Sequence, residues 1–73
     1  MNAITENQIA SMNKVNAREA KRIVQFMDAG MVDTAARAAS AAIRACMTTK
    51  QRNIMLTFAA GWPALVAHHE FIV

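Results

Sequence analysis

Residues 34–47 read TAARAASAAIRACM, and this stretch limits the folds open to the chain more than any other. Alanine has the highest intrinsic helix propensity, and no glycine or proline interrupts the run. On a helical wheel Arg37, Ser40 and Arg44 share one narrow face. Nearly everything else is alanine, with Ile43 and Cys46. Small side chains round most of a helix let neighbours approach closely on two sides. The reading is the central helix of a compact all-α bundle.

The flanking sequence is punctuated for helices as well. In ITENQI (4–9) Thr5 reads as an N-cap with Gln8 completing a capping box, and Ile4 and Ile9 as a hydrophobic staple. That helix is expected to end near Asn13. Asn16 with Glu19 opens the next, where Ala17, Ala20, Ile23, Val24 and Met27 recur at helical spacing. Gly30 supplies its left-handed C-cap. Asp33 or Thr34 caps the alanine-rich helix, and Thr48 with Gln51 opens a fourth that Gly61 ends. Pro63 suits the first turn of a last short helix, PALVAHHEF. Leu65, Ala67, His69, Phe71 and Val73 also alternate as in a strand, but a lone strand would lack a partner, so helix is favoured. Four to five short helices are expected in a single domain, residues 1–73, with a modest core.

Composition narrows the function classes. One cysteine, Cys46, permits no internal disulfide; this fits a reducing compartment and a small core residue. The amino-terminal MNAITENQIASMNK is polar and lacks the apolar run of a secretory signal. The most apolar stretch, IMLTFAAGWPALVA (54–67), is too short for a bilayer and is broken by Gly61 and Pro63. A cytoplasmic protein with no membrane contact is expected. Trp62 and Phe58 read as core in the carboxyl third, with an interface patch as the other reading.

The charge is distributed unevenly. All eight Lys and Arg lie between Lys14 and Arg52, a span with only three acids: Glu19, Asp28 and Asp33. Lys14, Arg18, Lys21 and Arg22 are spaced i, i+4, i+7, i+8 and fall within an arc of roughly 80–100°. Phe26 lies between this arc and the apolar face. These five residues form the candidate partner-binding surface. A solvated face beside a core stripe would look similar, but like charges this close destabilise an isolated helix. The alternative is an anionic partner, either nucleic acid or an acidic protein patch.

Sharper chemistry finds less support. The two helices joined at Gly30 have the layout of a helix-turn-helix, yet only Arg37, and Thr34 or Ser40, would reach a base edge. Asp33 would face phosphates. HHE (68–70) suggests a metal, but consecutive histidines on a helix point about 100° apart. There is no phosphate-binding glycine loop, no carboxylate pair at useful spacing and no Cys–His arrangement that indicates a dyad. No enzyme activity, cofactor, metal or small-molecule substrate is expected.

From MNAITENQIASMNKVNAREAKR through GWPALVAHHEFIV, the whole chain resembles the very small regulators that lytic bacteriophages use to seize host RNA polymerase. The resemblance implies binding to the large polymerase subunits near the RNA exit channel. It further implies inhibition of host promoter initiation and passage of elongating polymerase through terminators. A host elongation factor would be a second partner, and emerging RNA a further contact. No residue role is carried over by the resemblance; the basic face is read from the residues themselves. Two other functions fit the same composition: a small helical nucleic-acid-binding protein, and a phage antagonist of a bacterial defence complex.

Overall fold

A computed structural model describes residues 2–73. Five helices follow in order: α1 (Ala3–Ala10), α2 (Lys14–Asp28), α3 (Val32–Ala45), α4 (Thr49–Ala60) and α5 (Pro63–Val66). There is no strand among the described residues. The all-α expectation holds, and α3 is central: it packs against α2, α4 and α5. Ala35, Ala36, Ala39 and Ala42 are buried along it, as close helix approach requires. Ile23, Met55, Phe58 and Leu65 are the large side chains that fill the core around these alanines. Trp62 is half-buried against that cluster, and Cys46 lies within it.

The helix starts differ from the sequence reading in a consistent way. Asn2, not Thr5, caps α1: its Oδ1 accepts the Thr5 N–H at 2.8 Å. Thr5 then falls inside the first turn and is buried, while Ile4 points to solvent, so no staple forms with Ile9. Asn13, not Asn16, caps α2, with its Oδ1 accepting the Asn16 N–H at 2.8 Å. In both cases an asparagine one turn earlier takes the role, and asparagine is among the strongest N-caps. α1 ends at Ala10, ahead of Asn13. Met31 precedes α3 without any side-chain cap, so neither Asp33 nor Thr34 serves. Asp33 instead pairs with Arg37 at 3.7 Å.

The ends of α2 and α4 follow their glycines. Gly30 has φ +76°, with its N–H donating to the Met27 carbonyl at 3.0 Å and the Met31 N–H to the Phe26 carbonyl at 2.8 Å. This is a Schellman closure. Thr48 caps α4 as expected, accepting the Gln51 N–H at 3.1 Å. The Gln51 side chain does not return the bond. Its Oε1 accepts from the Asn13 N–H (3.0 Å) and Asn16 Nδ2 (3.3 Å), tying the start of α4 to the start of α2.

The tail departs furthest. α5 stops at Val66; turns follow, and residues 71–73 are neither helix nor strand. Ser40, which shares a narrow face of the helical wheel with Arg37 and Arg44, is 1% exposed. Its hydroxyl accepts the Ile72 N–H at 2.8 Å and donates to the Glu70 carbonyl at 3.4 Å. Phe71 packs on the core. Tertiary hydrogen bonds and burial outcompete a short helix that would have to extend through His68, His69 and Phe71, which are weak helix formers.

Candidate partner-binding face on α2

Asn13 starts α2 early enough to place Lys14 in its first turn, so the spacing of Lys14, Arg18, Lys21 and Arg22 is helical throughout. All four are exposed. They line a single open groove of about 430 Å³ together with Ala17 and Gln25. The opposite side of α2 buries Asn16, Ala20, Ile23 and Val24. The core contacts thus fix which way the cations point.

Electrostatics within the face are unbalanced. Among the described residues, only Arg22 of these four has a carboxylate in salt-bridge range. Its Nη1 donates to both oxygens of Glu19 at 3.3 Å. Glu19 therefore orients Arg22 and does not close a capping box. Lys14, at the first position of the helix, sits against the positive end of the helix dipole, and the first turn carries no acid. Repulsion at i, i+3 and i, i+4 costs a few tenths of a kcal/mol per pair. Folding alone does not favour this placement.

Phe26 is half-buried and packs on the core. Its ring lies 5.7 Å from the Arg22 guanidinium carbon. That distance is within cation–π range. Phe26 therefore contacts Arg22 from beneath, while the groove of the four cations is lined without it.

The structure adds cations that the sequence reading left outside the candidate face. Arg37 and Arg44 are exposed on α3, on either side of Ala41 in sequence. Arg44 and Arg52 line a shallow groove with Ile43, Leu56 and Val73, and Arg52 Nη2 donates to the Cys46 carbonyl at 3.2 Å. The groove that Arg44 and Arg52 share depends on helix packing, which no spacing in a single helix reveals.

The weaker candidates resolve in detail. Cys46 Sγ is buried, accepting from Asn16 Nδ2 at 3.4 Å and donating to the Ala42 carbonyl at 3.3 Å. His68 and His69 lie in a turn, not on a helix, with rings stacked at 4.4 Å. His68 Nδ1 accepts the Glu70 N–H at 3.1 Å. As a helix-turn-helix, α2–α3 would have to read bases with Arg37, Thr34 or Ser40. Ser40 is sealed beneath the tail and Arg37 is tied to Asp33. Among the described residues no helix is long and apolar enough to cross a membrane. No protein-family model matches the chain, and no curated protein or solved structure matches it either.

Proposed function

We propose that this chain is a phage-type transcription regulator that binds bacterial RNA polymerase in the host cytoplasm and acts by contact, without catalysis. Binding to the large subunits would inhibit initiation at host promoters and promote antitermination. The observation that carries the reading is the one-sided basic face of α2, where Lys14, Arg18 and Lys21 have no carboxylate in salt-bridge range among the described residues. It stands beside the whole-chain resemblance to small phage regulators of the polymerase. A small rigid bundle with one charged surface docks quickly on a large assembly, because complementary charge speeds encounter and sets orientation. The burial of Ser40 favours a protein partner over sequence-specific DNA, since it removes one of the few side chains able to read a base edge.

The test is affinity capture from bacterial lysate on the immobilised chain, followed by transcription with purified polymerase. Recovery of the large subunits, with reduced promoter initiation and increased terminator read-through, is the expected result. Failure to recover them, together with micromolar binding to short duplex DNA or RNA at moderate salt, would replace this reading with the nucleic-acid one. Recovery of a nuclease complex instead would make the chain an antagonist of host defence.

A further inference from the structure

The basic face of α2 continues into a second groove. Val15, Glu19 and Arg22 of α2 oppose Ala38, Ala41 and Ala45 of α3 across an opening of about 470 Å³. Arg22 lines this groove and the basic one, so the two surfaces join through its side chain. The alanines recur at i, i+3, i+7 and form a row roughly 10 Å long. At one end an adjoining hollow shares Val15 and Ala45 and adds Met47. Met47 is 95% exposed and Val15 58% exposed.

Arg22 is the cation that lines this apolar floor, and others flank it by helix spacing. Arg18 and Arg22 occupy the α2 side. On α3, Arg37 and Arg44 lie one turn either side of Ala41, exposed and outside the groove lining, and Arg44 also lines the neighbouring groove with Arg52. Two carboxylates are interspersed: Glu19 on Arg22 at 3.3 Å and Asp33 on Arg37 at 3.7 Å. The Glu19 contact uses only Nη1 of Arg22, which leaves the other guanidinium donors free. Arg44 has no carboxylate in salt-bridge range among the described residues.

We infer that the α2–α3 groove seats an acidic amphipathic helix of the partner protein. Its apolar ridge lies on Ala38, Ala41, Ala45 and Val15, and its flanking carboxylates meet Arg22 at the groove and Arg18 and Arg44 beside it. The inference rests on the reading that this chain works by binding a protein, and it specifies the chemistry of the segment bound. Charge complementarity selects an acidic occupant. The methyl floor selects an apolar ridge, and alanine permits the 8–10 Å axial spacing of packed helices. Single-stranded nucleic acid would want exposed aromatics for stacking, and the groove offers none. Met47 at the open end is a flexible apolar side chain suited to adjust around the ridge.

The test titrates the isotope-labelled full chain, followed by NMR, with a synthetic helical peptide of about five turns. The peptide carries leucine at every third or fourth position and glutamate on both flanks. Controls are its lysine counterpart and an RNA hairpin. Saturable shifts at Val15, Ala38, Ala41 and Ala45 with the acidic peptide alone are expected. Ala41→Glu and Arg44→Glu should each weaken binding about tenfold with unchanged circular dichroism. Arg44→Glu leaves the alanine floor intact, so it serves if Ala41→Glu fails to fold. Shifts confined to Lys14, Arg18 and Lys21, undiminished binding by both variants, or tighter binding of the hairpin to the same row would overturn the inference. Polymerase capture by the unaltered chain is measured in parallel. Capture without peptide binding sinks the groove alone. Peptide binding without capture supports the groove and sinks the polymerase reading.

Discussion

Ser40 shows how one hydroxyl can settle the course of a chain end. Its surroundings in sequence are alanine, and on the wheel it lies near Arg37 and Arg44. It is nevertheless buried because the tail crosses it, and its oxygen serves both Ile72 and Glu70. Ser40→Ala removes the acceptor for a backbone N–H, a change that costs about 1–2 kcal/mol, offset slightly by better helix propensity. Urea denaturation should show a net loss near 1 kcal/mol. Amide exchange at Ile72 should quicken. Unchanged exchange there would mean that Ser40 does not hold the tail. Asn16 carries a similar lesson. It was legible as a helix start, and its true work is to join Cys46 and Gln51 across three elements.

At the scale of elements, the helices themselves were largely legible and their caps were not. The first four helices expected from spacing are present and the last is cut short at Val66, because apolar periodicity and alanine propensity are local properties and the tail is held by tertiary bonds. The caps of α1 and α2 each moved one turn earlier, since asparagine at positions 2 and 13 competes for the same role with equal local chemistry. Gly30 is the element boundary where residue type is decisive. With φ +76° and nothing within 4 Å of an added Cβ, Gly30→Ala tests backbone strain alone. It should destabilise by about 1 kcal/mol in thermal or urea melts, with α2 and α3 still formed by circular dichroism. Gly61, which also ends a helix, has φ −73° and makes no such demand.

For the whole molecule, the alanines of α3 decide how near the neighbouring helices lie. Ala39 is 1% exposed at the centre of the core. Ala39→Leu should cost about 1–3 kcal/mol through overpacking, read as a lower melting temperature. Ala41→Leu, on the exposed side, should leave stability nearly unchanged. Equal effects from the two would contradict the orientation of α3. The surface charge makes a separate prediction. Reversing Arg18, Lys21 and Arg22 to glutamate together should abolish partner binding, with helicity retained, because these side chains leave the core untouched. Binding by the unaltered chain should also weaken as salt rises, since exposed charges more than about 10 Å apart are screened at 0.1 M ionic strength. Full binding by the folded triple variant would exclude the face.

The sequence by itself determined that this chain is helical, that α3 is built for close packing, and that four cations share one side of α2. Each of these follows from residues a few positions apart, where helix geometry alone sets direction. Only the tertiary structure decided that Ser40 lies under the tail, that Gln51 reaches α2, and that Ala38, Ala41 and Ala45 stand across a groove from Arg22. Those relations join residues distant in sequence, and their geometry comes from how side chains of different helices fill one core.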